Sequence, residues 1–334
     1  MRILSLIFCC FVFIFLCACT GNQNKVNIIL DTDIAPDYDD VGALAMLHAL
    51  ADSGKVNLLA TISCNTYGTT AATLDAINTY FGRPDVPVGV TRGVLPNQPC
   101  NQGWDTLIIS NYPHQIFSNE EAQDAVKLYR KILAGQPDKS VTIVSVGFFT
   151  NLAALLETEP DEFSELNGQD LVRQKVIKLV SMAAGMGKQN EGAYEFNVVI
   201  DIPAARKVFS EWPTSFLVSG FEIGEQIRTG IRLMHNPSIQ NSPVKSAFAL
   251  ALKKDQNVFG RNSWDQTAVL VAVYGPQPWF TTTPVQFEIQ SDGRSVPVPG
   301  DKIEYLQFRE SPQIVGYCIE NLMMHQSQNS LLLN

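Results

Sequence analysis

Residues 27–50 constrain the fold of this chain more than any other stretch. The apolar run from Asn27 to Leu30 ends in Asp31, Asp33, Asp37, Asp39 and Asp40, and an apolar helix pattern follows at once over 41–50. Five carboxylates within ten residues repel one another strongly, and a helix cap needs one acid, not five. At the end of a buried strand such a crowd calls for a cation, and a hard metal ion is the simplest one.

Beyond this run, strand-like and helix-like segments alternate. Strands are expected over 26–30, 56–63, 86–90, 141–146, 176–183 and 214–219. Helices are expected over 41–50, 69–81, 120–134, 151–156 and 203–209. The strands read as continuous apolar runs, as strands buried on both faces do. The order predicts an α/β fold: an open, mostly parallel Rossmann-like sheet with helices on both faces. Residues 96–115 read as a loop. The last third is more helical, over 244–253, 264–274 and 312–325. Between these helices, 285–289 and 303–308 pair as a hairpin over a Gly/Pro-rich turn at 292–300.

The chain has 334 residues, 46% of them hydrophobic, which suffices for one large domain or two modest ones. With no repeat and no strong linker, a single domain is the simplest organisation. A net charge of -9 argues against a surface that coats nucleic acid. Residues 1–18 read as a signal peptide, with Arg2 before an almost unbroken apolar core over 3–15. That stretch is too short for a comfortable membrane span. Leu16-Cys17-Ala18-Cys19 resembles a bacterial lipobox, which would make Cys19 the lipidated first residue of the mature chain. The expected organisation is therefore a signal peptide (1–18), a polar tether (19–25), one domain (26–326) and a tail (327–334). Such a protein is held by lipid in the bacterial envelope, on the periplasmic side of the outer membrane. Of seven cysteines, Cys64, Cys100 and Cys318 remain in the domain. Three so widely spaced make neither a disulfide framework nor a zinc site. Buried free thiols are the simplest account of them.

The polar residues that could carry chemistry follow the ends of expected parallel strands, where open α/β sheets bind ligands. Asp31 and Asp33 follow the first strand and Asn65 the second. Thr150 and Asn151 follow the strand ending at Val146. Glu195, Phe196 and Asn197 come after the glycine-containing loop 185–192. Asp265 instead opens a helix, where it can cap and still point a carboxylate outward. Asn65 and Asn151, taken singly, also suit turns or caps. Two familiar acidic motifs fail on the residues. A phosphatase of the haloacid-dehalogenase type requires Thr or Val where Ala35 stands. An EF-hand loop starting at Asp31 would have Pro36 where Gly is needed and Gly42 where Glu is needed.

Several segments, in order, resemble the inosine-uridine-preferring nucleoside hydrolases. Asp31-Thr32-Asp33, then the pair Asp39-Asp40 and a helix of small residues, resembles the N-terminal signature of that family. Ser63-Cys64-Asn65 resembles its second strand end. Gly147-Phe148-Phe149-Thr150-Asn151-Leu152-Ala153 and Glu195-Phe196-Asn197 resemble two further segments, and Trp264-Asp265 the late acid. The resemblance implies hydrolysis of the N-glycosidic bond of ribonucleosides with one bound calcium ion. Its ligands would be Asp33, Asp40, Asp265 and the backbone carbonyl of Thr150. Asp33 would be the general base. Asp39, Asn65, Glu195 and Asn197 would bind the sugar, with Asn190 or Gln189 at its 5′ end. Trp264, which the resemblance does not account for, could stack on the base or simply pack. The implied partners are a small nucleoside or riboside, with no nucleic-acid polymer, and the resemblance is compatible with a homo-oligomer.

The chain departs from the family pattern in several places: Ala35 stands for a glycine, the 185–192 loop is one residue short before Glu195, and 218–227 lacks an Asp-x-Thr pattern. Two further departures bear most on the chemistry. Two extra residues separate Asp33 from the Asp39-Asp40 pair, which leaves Asp37 unassigned, either as a surface turn residue or as one that displaces Asp39 from its role. Trp264 stands where many purine-active members have a histidine that protonates the leaving base. His114, or Trp104 with Asp105, in the 96–115 segment are candidates to replace it. The missing donor also raises an alternative, a sugar- or nucleoside-binding lipoprotein that keeps the metal site without turnover.

Overall fold

The apolar runs of the sequence become the strands of one ten-stranded sheet in the computed structural model, which describes residues 25–93 and 96–327. The strands are β1 (Val26–Thr32), β2 (Val56–Ser63), β3 (Val88–Val90), β4 (Gln123–Asp124), β5 (Val141–Ser145), β6 (Val176–Met182), β7 (Ala193–Tyr194), β8 (Ser215–Ser219), β9 (Arg228–Thr229), β10 (Arg261–Asn262), β11 (Phe280–Ile289) and β12 (Arg294–Phe308). The sheet order is β11-β12-β8-β6-β5-β1-β2-β3-β4, with β7 beside β12 and the β9–β10 pair apart. From β4 through β12 the neighbours are parallel; β11 and β7 pair antiparallel with β12. The single-domain, open, mostly parallel α/β fold expected from the alternation is the one observed.

Strand order fixes where a ligand can sit. The chain winds outward from β1 through β2 and β3 to β4, then returns to the other side of β1 with β5 and winds away through β6 and β8. The order therefore reverses between β1 and β5. At such a switch point the loops from two adjacent strand ends diverge and leave a crevice. Residues 33–38 and Val146–Phe149 are the loops at that point. Gly147 allows their close approach, because a Cβ there would lie 2.4 Å from the Asp33 nitrogen and 2.6 Å from Cys64 Sγ.

Side chains alternate across the central strands into two cores. Ile28, Leu30, Val144 and Val180 join one; Ile29, Ile143 and Leu179 join the other. Against the first core lie the helices Asp39–Asp52 and Trp264–Tyr274, both buried along nearly their whole length. A helix apolar on all sides has no solvent face and must be internal. Both carry site acids in their first turns, Asp39 and Asp40 on one and Asp265 on the other. The positive end of each helix dipole favours a carboxylate there.

Two local expectations are corrected. The 96–115 segment contains a helix, Trp104–Asn111, entered through Gly103 in the left-handed region. Its start signal was hidden because no Ser, Thr, Asp or Asn caps it. The hairpin near the C-terminus forms, but its turn is the tighter 290–293; residues 294–300 extend β12. Cys64, Cys100 and Cys318 are free thiols, Cys64 being fully buried. Among the described residues no helix is long and apolar enough to cross a membrane. Cys19 and the lipobox-like segment lie outside the described residues.

Candidate active site

A cleft opens at the switch point. Its acidic wall is Asp33, Asp39, Asp40 and Asp265, all buried, with Asp37 nearer the solvent. Glu195, Asn197, Val146 and Met182 line the side toward β5 and β6, while Phe196, Phe221, Trp264 and Arg261 supply the remainder.

Asp33 opens the turn between β1 and the helix Asp39–Asp52. Burial drives its pKa well above the ordinary carboxylate range, and the negative charges of Asp40 and Asp37 push it further. Asp40 is raised by burial and by Asp39. One of its oxygens accepts from the Thr32 hydroxyl, and the other, Oδ2, is buried with no hydrogen-bond partner. Asp265 is raised by burial and then by Asp39, Asp40 and Asp33. Asp31 points behind the site, where Tyr129 Oη donates to it at 2.8 Å and Asn151 Nδ2 at 3.1 Å. The Asn151 amide also donates to the Ser63 carbonyl, so it ties β1 to β2 and does not face the cleft.

Glu195 caps the helix Phe196–Ile200, accepting from the backbone nitrogens of Asn197, Val198 and Ala184. Burial nevertheless lifts its pKa to about 7. Asn197 donates to the carbonyls of Val146 and Met182 at 3.3 and 3.2 Å, spanning the ends of β5 and β6. Trp264 stacks on Phe221, their ring centres 5.4 Å apart, and its indole N–H donates to the Phe221 carbonyl at 2.9 Å. Gly224 permits this packing, since a Cβ there would meet the Trp264 ring at 2.3 Å.

The structure separates the remaining expected residues from the cleft. The Asn65 amide is spent on main chain: it donates to the carbonyls of Asp33 and Gln98 and accepts from the nitrogens of Gln98 and Tyr67. It braces the acidic turn and has no donor left for a sugar. Thr150 starts the helix Thr150–Leu156 and donates its hydroxyl to Asp201 at 2.6 Å, while Val146 lines the cleft in its place. Asn190 and Gln189 are exposed in the turn Lys188–Asn190, away from the cleft wall. Trp104 is fully buried in the core, and its neighbour Asp105 accepts from Thr69. His114 bonds the Tyr112 carbonyl through Nδ1 and packs its ring on Phe117. Neither Trp104 nor His114 lines the cleft, so neither faces a leaving group there.

Asp37, unassigned from the sequence, has a partner that sequence reasoning missed. Arg261 Nη2 lies 2.6 Å from Asp37 Oδ1, and its Nε lies 3.1 Å from Asp39 Oδ1. Arg261 carried no motif of its own; its position three residues before Trp264 was the one available signal.

An α/β sheet with a carboxylate-lined crevice at its switch point defines the class of fold and site. Residues 28–315 match the model of the inosine-uridine preferring nucleoside hydrolases, and the chain belongs to that family. It is 28% identical over 227 residues to a pyrimidine-specific ribonucleoside hydrolase RihA of Enterobacter sp. (strain 638), an alignment covering 65% of this chain and 64% of that protein. The chain thus spans just under two thirds of the length of that relative. Among solved structures, an inosine-uridine preferring nucleoside hydrolase from Bacillus anthracis superposes with a TM-score of 0.67 at 14% identity, over 90% of this chain and 99% of that one. The type III effector protein XopQ complexed with adenosine diphosphate ribose gives 0.65 at 17% identity, over 90% and 94%. At these identities the two structures show a shared fold.

Proposed function

We propose that this protein hydrolyses the N-glycosidic bond of ribonucleosides, releasing ribose and free base, with a calcium ion held by the cleft. One observation carries the reading. Asp33, Asp40 and Asp265 are buried on one wall, and the one cation lining the cleft among the described residues, Arg261, pairs with Asp37 and Asp39 instead. Three buried carboxylates without a counter-ion are costly to keep ionised. Among the described residues no three acidic, histidine or cysteine side chains are gathered closely enough to hold a metal as they stand. The donor chemistry nevertheless fits a hard cation: all-oxygen ligands, and a buried Asp40 Oδ2 with no partner. Asp33, Asp40 and Asp265 would hold it, with a carbonyl from the 146–150 turn, where Val146 rather than Thr150 is on the cleft.

Bound there, such an ion supplies Lewis acidity, orienting the sugar hydroxyls and lowering the pKa of a water. Asp33 takes the proton of the water that attacks C1′. Asp39, Glu195 and Asn197 bind the sugar, and the surrounding carboxylates stabilise the oxocarbenium-like charge as the C1′–N bond breaks. Trp264 and Phe221 offer an aromatic face to the base.

A second reading, binding without turnover, is favoured by the lack of any histidine among the described cleft-lining residues. Incubation with inosine, uridine and p-nitrophenyl riboside, with and without chelator, separates the two. The hydrolase reading expects chelator-sensitive release of ribose from at least one of them. Binding without release from all three would sink it. We also propose that Cys19 carries lipid and holds the enzyme in the bacterial envelope for nucleoside salvage. Cys19→Ser should then move the protein from the membrane to the soluble fraction, and unchanged membrane association would contradict the anchor.

A further inference from the structure

Arg261 lies on β10, and its guanidinium is fixed from four sides. Two carboxylates, Asp37 and Asp39, accept its Nη2 and Nε, and its central carbon lies 4.9 Å from the Trp264 ring centre and 5.2 Å from that of Tyr38. These contacts join two of the departures from the family pattern. Asp37 comes with the two extra residues, and Trp264 stands in the histidine position. A guanidinium has five N–H donors in a fixed fork. Two are directed at the carboxylates, which leaves three on a side chain that lines the cleft and is 16% exposed. The neighbouring Trp264 has already spent its N–H on Phe221, so it offers only a ring face.

Burial gives the cleft a direction. Asp40 and Asp33 are 1% and 4% exposed, whereas the Asp37 side chain is 40% exposed. Arg261 reaches from buried Asp39 to Asp37 and therefore runs up the wall from floor to rim. A riboside whose sugar sits on the floor acids presents its base to this wall.

We propose that Arg261 is a catalytic and specificity-determining residue that hydrogen-bonds the acceptor edge of the departing base, in place of a proton-donating histidine. The proposal rests on the nucleoside-hydrolase reading above. Arg261 does not deprotonate and so cannot act as the acid. Its charge is offset by two carboxylates, so it serves as an oriented donor and not as a trap for anions. The favoured substrates are therefore nucleosides with neutral bases that carry carbonyl or ring-nitrogen acceptors. When the C1′–N bond breaks, its electron pair goes to the base. Negative charge builds on the base ring and exocyclic oxygens, where charged donors are worth most. Water gives its oxygen to C1′ and one proton to Asp33, and the released base takes a proton from solvent. Asp37 is a positioning residue that holds the outer end of the guanidinium.

The test compares kcat and KM of the full-length enzyme, Arg261→Met, Arg261→Lys and Asp37→Asn on inosine, uridine and p-nitrophenyl riboside. The nitrophenolate leaves without help. Arg261→Met should lower kcat on inosine and uridine by about 100-fold, and on p-nitrophenyl riboside by less than about 10-fold. Asp37→Asn should show the same leaving-group dependence on a smaller scale, and Arg261→Lys should recover part of the loss. An equal fall on all three substrates would overturn the proposal, because it would mark a displaced Asp39 and not a lost contact to the base. If Arg261→Met does not fold, as judged by its melting curve, the Lys and Asp37 variants decide by the same criterion. A wild-type enzyme that releases ribose from none of the substrates would instead end the hydrolase reading, and this proposal with it.

Discussion

The floor of the cleft and its rim are built by different means. The floor acids Asp33, Asp40 and Asp265 sit where a strand end and two helix N-termini are brought together by the topology of the sheet. Their surroundings are main chain and buried polar groups: the Thr32 hydroxyl on Asp40, and the Asn65 amide on the Asp33 carbonyl. The rim is a side-chain assembly of Asp37, Arg261 and Trp264, held by charge and ring contacts, with Arg261 also resting on the buried Tyr38 ring. A floor set by topology keeps the same chemistry, whereas a rim set by side chains can change with a few residues.

Substitutions can break this comparison. The largest effect belongs to the floor. Asp33→Ala should lower kcat by about 10³-fold or more on every substrate and abolish the proposed calcium binding, measured by steady-state kinetics and metal analysis. Full activity in that variant would remove Asp33 from the mechanism and the distinction with it. The rim variant Arg261→Met has the intermediate effect, and its loss depends on the leaving group where the floor variant's does not.

The smallest effect is on stability and tests how the floor is supported from behind. His48 lies on the helix that begins with Asp39 and Asp40. It is fully buried, stacked on Phe81 and bonded to Asn78. Burial, helped by the Arg83 charge, lowers its pKa to about 3. The unfolded chain, with an ordinary histidine pKa of about 6.5, takes up the proton first as pH falls. The His48 contribution is thus fully present above pH 6.5 and is lost progressively between there and pH 3, reaching about 2 kcal/mol at pH 5. Glu195, lifted to about 7, acts in the opposite sense, so the difference between wild type and His48→Gln isolates the histidine. Denaturant unfolding at pH 7 and pH 5 should show a smaller pH-dependent loss in the variant. Equal losses would mean that His48 is not held neutral.

Much of the floor was legible in the sequence, and little of the rim. Asp33, Asp39, Asp40, Glu195, Asn197 and Asp265 all reach the cleft wall, because each is fixed by a local event: a strand ends, or a helix begins. The sequence marked Asn65 equally well as a strand-end residue. Its amide was then consumed by the carbonyls of Asp33 and Gln98, which only the folded loop brings near. Trp104 and His114 looked available because 96–115 read as a loop; a helix there takes Trp104 into the core.

By itself, the sequence determined the sheet, its two cores and the end of the sheet at which the acids collect. These follow from periodicity and strand ends, which act over a few residues. Only the tertiary structure decided what the acids face. Arg261 meets Asp39 across 222 residues of chain, and it does so because β10 and the helix Trp264–Tyr274 are delivered to the mouth of the crevice. A contact of that separation leaves no periodic trace. It depends on where β10 comes to rest against the 33–38 turn, and so the partner of Asp37 appears only once the chain is folded.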